Sequence, residues 1–339
     1  MPEWAEQDAV LLAWPYPGGD WDPWLEIVTA AYRELAAAIA DFEPVIILCR
    51  DAALRDRLRD QLADLSGTED HYRRLIIPYD DTWIRDYGPL SLVDPAGPRL
   101  LDLRFNGWGG RHAAERDDAV NAELARARLL DAPMDRDERV LEGGAVETDG
   151  AGTLITTRRC LLSPSRNPGL DATAIETWLR RLLGVDRILW LAHGGLEGDD
   201  TDGHVDTLVR FADPRTLVHQ ACDDPEDSHY PELTAMAEEL AAWRTADGEP
   251  YRLRPLPWPR PRYNERGERL PAGYANFLLV NGGVIMPTYD DPADDVARAV
   301  LADCFPGREV VGVDARVLLQ QGGSVHCATM PLARGVLPD

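Results

Sequence analysis

Over 339 residues the chain carries 59 acidic against 35 basic side chains, a net charge of −24, with 45% apolar residues to build a large core. The charge disfavours nucleic acid and anionic membrane as partners and favours cationic ligands. Every basic residue is Arg; without Lys, a phosphate-loop lysine, a pyridoxal Schiff base and a lysine nucleophile are excluded.

The N-terminal "MPEWAEQDAV" is acidic where a signal peptide is basic and then apolar, and no apolar run is long enough to span a bilayer, so a cytoplasmic location is expected. In chain order, "WLEIVTAAYRELAAAIADF" places Leu25, Val28, Tyr32, Leu35 and Ile39 on one helical face, and "DAALRDRLRDQL" does the same with Leu54, Leu58 and Leu62. Helical faces recur over 171–183 (Ile175, Leu179, Leu182), 231–243 (Leu233, Met236, Leu240) and 292–304 (Val296, Val300). Between them lie short apolar runs that read as strands: "VIILC", "LIIP", "TLITT", "RILWLA", "TLVHQ", "FLLV", "GVIMP" and "EVVGV". Helices alternating with strands define an α/β or α+β chain. Three runs end in acids ("LIIPYDD", "VHQACDD", "VIMPTYDD"), a weak sign that one unit is reused. The Pro- and Arg-rich stretch 251–274 reads as a linker or as a long loop over a site.

Five scattered cysteines without CxxC spacing argue against a disulfide framework or a structural zinc site. Polar residues concentrate in a few places. "DDTWIRDYGPL" sets Asp80, Asp81 and Asp86 beside Trp83 and Arg85, which reads either as function after a strand or as a turn in which Arg85 neutralises an acid. "LEGGAVETDG" places Glu142 before two glycines, with a hairpin turn at Asp149-Gly150. In "GLEGDDTDGHVDTLVRF", period-two alternation puts His204, Asp206 and Leu208 on one strand face, with Asp202 just before. Near the end stands Cys327, in "QQGGSVHCATM".

Three readings fit these groups. His204, Asp206 and Cys327 could ligate a metal, although no second histidine cluster supports it. Capped turns and a buried thiol account for each piece separately. A cysteine nucleophile with a histidine acid/base and several carboxylates, directed at a cation, uses all of them together.

The ordered strings "DTWIRDYGP", "LEGGAVETDGAGTL", "CLLSPSRNP", "DDTDGHVDTLVRF", "YANFLLVNGGVIMPTYDDPAD", "FPGREVVGVD" and "GGSVHCATM" resemble the agmatine deiminase family, which includes the bacterial peptidylarginine deiminase type, over essentially the whole chain. The resemblance implies a pentein fold, a five-bladed α/β propeller of ββαβ-type units with pseudo-fivefold symmetry, as a single catalytic domain over 1–339. It implies hydrolysis of agmatine to N-carbamoylputrescine and ammonia without cofactor or metal, with deimination of peptidyl-arginine or another guanidino compound as the alternative reading and a non-catalytic cation-binding pentein as a further one. On the matching motifs it places the nucleophile on Cys327, the acid/base on His204, guanidinium-holding carboxylates on Asp86 and Asp206, and the acid that steadies the histidine on Glu142. Trp83 falls on a tryptophan lining the substrate channel; Asp81, Asp202 and Gly323 are further substrate-binding candidates. The expected partner is a small cationic guanidino substrate, with a homodimer an allowed assembly. The sequence departs from the commoner family pattern at Asp80, where Asn is usual, and in "HCATM", where "HCITQ" is usual.

Overall fold

The computed structural model describes residues 1–63, 65 and 71–338. Its strands fall into five small sheets rather than one large one. The first contains β1 (Gln7–Ala13), β2 (Val45–Cys49) and β3 (Tyr72–Ile76). The next two are β4 (Leu90–Asp94), β5 (Gly97–Arg104) and β6 (Met134–Val140), then β7 (Val146–Thr148), β8 (Thr153–Thr157) and β9 (Arg187–Leu191). The fourth is β10 (Val209–Asp213), β11 (Thr216–Gln220) and β12 (Arg252–Leu256), and the fifth β13 (Leu278–Val280), β14 (Gly283–Thr288) and β15 (Glu309–Asp314). The last strand, β16 (Thr329–Ala333), returns to pair antiparallel with β1.

One rule generates all five. A strand turns back antiparallel onto its neighbour, a helical crossover follows, and the third strand joins parallel to the second: β4/β5/β6, β7/β8/β9, β10/β11/β12 and β13/β14/β15. In the first sheet β16 supplies the opening strand, so chain end and chain beginning complete one unit and close the ring. This is the five-unit arrangement that the resemblance implied. β3 is an extra parallel strand outside the rule, so "PYDD" after β3 is not equivalent to the acids after β11 and β14. Only the latter two share a place in the repeat.

Local chemistry explains the crossovers. Asp51 and Asp171 accept from Leu54 N and Ala174 N, capping helices Ala52–Gln61 and Ala172–Leu183; the second ends at Gly184, whose φ of 67° suits a residue without a side chain. Helix Leu25–Ala40 buries Val28, Tyr32, Leu35 and Ile39 as its spacing indicates. Helix Ala293–Cys304 is a correction: it buries Ala297 and Leu301 and leaves Val296 exposed, because its packed stripe lies one residue further along. The Pro/Arg-rich stretch 251–274 is not a domain linker. It contributes β12 and then covers the 197–200 loop, with the Arg269 carbonyl packed against Gly198. No helix among the described residues is long and apolar enough to cross a membrane.

Candidate active site

The connections that run from the last strand of one sheet to the first strand of the next converge on one place. Asp86 comes from the β3–β4 connection, Glu142 and Gly144 from β6–β7, His204 and Asp206 from β9–β10, Asn276 from β12–β13, and His326 and Cys327 from β15–β16. Every side chain in this set is buried, from Glu142 and Asp206 at 0% exposure to Cys327 at 6%. A ring of five units thus gathers residues far apart in sequence, which no single segment could do.

His204 and Asp206 do not sit on a strand, as the alternation indicated. Val205–Thr207 is a short 3₁₀ turn entered from extended His204, and Thr207 Oγ1 donates to the His204 carbonyl. The loop before it is held by Asp199, which accepts from Thr201 N and Gly203 N. Turn geometry, not pleat, brings His204 and Asp206 to the centre.

Asp86 accepts from Gly144 N at 2.9 Å and from Trp108 Nε1 at 2.8 Å, and lies 3.5 Å from His204 Nδ1. Glu142 is 3.8 Å from His204 Nε2 and takes Arg166 Nε at 2.8 Å on each oxygen. Neither nitrogen of His204 has a hydrogen-bond partner among the described residues, and the same holds for Asp206 Oδ1. The other oxygen, Asp206 Oδ2, accepts from His326 Nδ1 at 2.7 Å, and His326 Nε2 reaches Glu3 at 2.6 Å. Buried groups left unpaired cost folding free energy, so such atoms on His204 and Asp206 mark a point shaped for a ligand.

Gly144 shapes that point. A Cβ there would stand 2.6 Å from His204 Nδ1, 2.9 Å from Asp86 Oδ1 and 3.0 Å from Asp206 Oδ2. Cys327 Sγ lies 3.4 Å from Asn276 Oδ1 and 3.8 Å from Asp206 Oδ2, and Asn276 Oδ1 also accepts from His326 N. Burial, then Asp206 and Asp86, hold the Cys327 thiol well above its ordinary value. Burial opposes charge on His204, but Asp86, Cys160 and Glu142 outweigh it and keep the imidazolium well above the usual range. Burial raises Asp86, whereas in Asp206 the bond and charge of His326 overcome burial and keep the carboxylate ionised.

The remaining candidates divide. Trp83 is buried against Trp21, and Gly323 lies on the Trp83 indole, where an added Cβ would come within 2.4 Å of the ring. Burial, with Asp20 and Asp200 nearby, pushes Asp81 up to about 7. Asp202 gives one oxygen to Arg111 at 2.6 Å and the other to Arg166 at 2.7 Å, so its charge is engaged within the protein rather than presented to a substrate cation. Arg85 pairs with Glu3 at 3.2 Å, not with the acids of its own motif.

Sequence reasoning assigned no role to Trp108, Asn276, His326, Arg166 or Cys160. Trp108 had a visible signal, a tryptophan among glycines in "NGWGG", where it adopts a left-handed φ of 53° that aims its indole at Asp86. A cavity of about 820 Å³ is lined by residues including Glu3, Arg85, Gly143, Glu147, His326 and Met330, and not by Cys327 or His204. A smaller cleft of about 380 Å³ runs past Gly198, Asp200 and Gly322 beneath the 264–270 loop.

A ring of five ββαβ units with a thiol, an imidazole and carboxylates meeting at its centre is the pentein class. The family model for Porphyromonas-type peptidyl-arginine deiminase matches residues 1–332, and the chain belongs to that family. It is 37% identical over 353 residues to the agmatine deiminase of Pseudomonas aeruginosa (strain UCBPP-PA14), spanning 97% of this chain and 94% of the relative. A provisionally named arginine deiminase from Porphyromonas gingivalis superposes with a TM-score of 0.93 at 45% identity, covering 100% of this chain and 99% of that one. A Cys-to-Ser variant of C. jejuni agmatine deiminase, solved with substrate bound, superposes with a TM-score of 0.91 at 35% identity, covering 99% and 96%.

Proposed function

We propose that the whole chain, 1–339, acts as one catalytic unit that hydrolyses agmatine to N-carbamoylputrescine and ammonia, with Cys327 as nucleophile. The observation that carries this reading is that Gly144 leaves open a space bordered by His204 Nδ1, Asp86 Oδ1 and Asp206 Oδ2, with both His204 nitrogens and Asp206 Oδ1 unpartnered among the described residues and a buried thiol beside them. A guanidinium is planar and permanently charged, so Asp86 and Asp206 can clamp it with parallel hydrogen bonds and turn its carbon toward Cys327. The clamp also solves a problem of protonation. Burial and two carboxylates keep the free thiol protonated, and a bound cation offsets both effects, so the thiolate forms when substrate is present.

Cys327 Sγ then adds to the guanidinium carbon. The imidazolium of His204 gives its proton to the departing nitrogen, one ammonia leaves, and an amidino-thioether remains on Cys327. Neutral His204 next takes a proton from water, which adds to the same carbon; the C–S bond breaks and the ureido product leaves with the thiolate restored. Glu142, itself held by Arg166, steadies the imidazole from the opposite side. The glycine at 144 keeps this space open. Gly144→Ala, measured by steady-state kinetics with the thermal melt as control, is expected to lower kcat/KM by about 10²-fold, since displacements near 1 Å at a reacting centre cost that much.

The far end of the substrate selects agmatine. Burial, with a smaller contribution from Asp20 and Asp200, raises the Asp81 carboxyl to about 7, and an ammonium beside these acids favours its charged form. The arginines of this region, Arg85, Arg111, Arg116 and Arg166, are each ion-paired and offer no spare cation to a substrate carboxylate. Agmatine is therefore expected to exceed free arginine in kcat/KM by at least ~100-fold, about 2.7 kcal/mol of discrimination. Side-by-side kinetics on agmatine, arginine and a short arginine peptide test this. Comparable efficiency on either competitor would remove the agmatine assignment and leave guanidine hydrolysis standing.

A further inference from the structure

Cys160 has no part in the chemistry above, yet it stands inside the site. It follows β8 in the turn Arg158–Leu161, capped by Thr157, whose Oγ1 accepts from Cys160 N at 3.2 Å. The side chain is fully buried, with Sγ 3.8 Å from Glu142 Oε2. Cys160 Sγ, Glu142 Oε2 and a His204 nitrogen all lie within 4.8 Å of one another. A tetrahedral zinc ion with bonds of about 2.0 to 2.3 Å holds its ligand atoms about 3.3 to 3.8 Å apart, so movements of less than about 1 Å would bring these three onto one ion. A thiolate, an imidazole and a carboxylate form a donor set that suits zinc over magnesium or calcium.

A further observation points to a cation. His204 is 1% exposed and neither ring nitrogen is hydrogen-bonded among the described residues, so a nitrogen that gives up its proton for a metal has no protein partner to lose. Arg166 occupies one side of Glu142, and Asp202 shares that positive charge.

We infer that Glu142, Cys160 and His204 form a binding site for a thiophilic divalent cation of the zinc type, and that an ion bound there silences the enzyme. Cys160 and the His204 imidazolium each release a proton on binding, and the ion takes the nitrogen lone pair that His204 needs to move protons. The silencing rests on the acid/base role proposed for His204; the binding does not. The device uses a thiol other than the nucleophile, which makes it separable by mutation.

Cobalt(II), whose bond to a thiolate absorbs light, reports on the site directly. Titration of the full chain is expected to give one thiolate-to-cobalt absorption per molecule, retained in Cys327→Ser and lost in Cys160→Ser. Retention in Cys160→Ser, loss in Cys327→Ser, or no such absorption would overturn the assignment. A second measurement does not require Cys160→Ser to fold. In Cys327→Ser protein, Zn²⁺ is expected to slow alkylation of Cys160 at least tenfold, leaving Cys49, Cys222 and Cys304 unchanged; equal rates would overturn the site. Zn²⁺ bound at Cys160 should lower turnover of the parent enzyme at least tenfold, reversed by chelator. Binding without loss of rate would overturn the silencing and count against His204 as acid/base, while the site itself would stand.

Discussion

Replacing Cys327 by serine is expected to lower kcat on agmatine by at least about 10⁴-fold while changing its dissociation constant little, because the carboxylates supply affinity and the thiol supplies the reacting electron pair. The substitution removes one polarisable nucleophile and leaves Asp86, Asp206 and Asn276 in place. Stopped-time product assays and calorimetric titration separate the two effects. A serine variant with turnover near that of the parent would remove Cys327 from the mechanism. The same residue sets a pH dependence. Its thiol lies well above 9 in the free enzyme, so inactivation by iodoacetamide is slow at neutral pH and climbs as pH rises past 9, and agmatine protects against it.

Replacing His204 by asparagine is expected to cost about 10³-fold in kcat, within the range for a positioned acid/base. The sign of its pH effect follows from its surroundings. Asp86, Cys160 and Glu142 keep the imidazolium stable well above 6.5, so the group is a competent acid at neutral pH and loses its proton only as pH rises through that elevated value. In the parent, kcat therefore falls on the alkaline side; in His204→Asn that limb is absent and the residual rate is flat there. An unchanged alkaline limb in the variant would assign it to another group.

Much of the ring was legible before its coordinates. The apolar runs of β2, β8, β11 and β14 are buried through most of their length and read as strands for that reason, and the capped crossover helices carry their own periodicity. β6 was not recognisable: "MDRDERV" is half exposed at the edge of its sheet, so it looks like a charge run. β1 and β16 form a pair only across the full length of the chain, a partnership no local pattern reveals.

The site divides along the same line. Cys327, His204, Glu142, Asp86 and Asp206 stand in glycine-flanked acidic or thiol motifs that announce themselves. Asn276, His326 and Cys160 act through neighbours 51, 120 and 18 residues away, on Cys327, Asp206 and Glu142, and only the folded chain creates those contacts. Asp202 misleads for a related reason. Its motif is acidic enough to suggest cation binding, but Arg111 and Arg166, distant in sequence, occupy both oxygens.

The central claim is a covalent bond between Cys327 and the substrate carbon. Enzyme mixed with agmatine, quenched in acid during turnover and mapped by mass spectrometry, is expected to carry on Cys327 the mass of agmatine less one ammonia. The adduct should be absent in Cys327→Ser. Full turnover of the parent with no adduct on Cys327, or an adduct on another residue, would contradict the account.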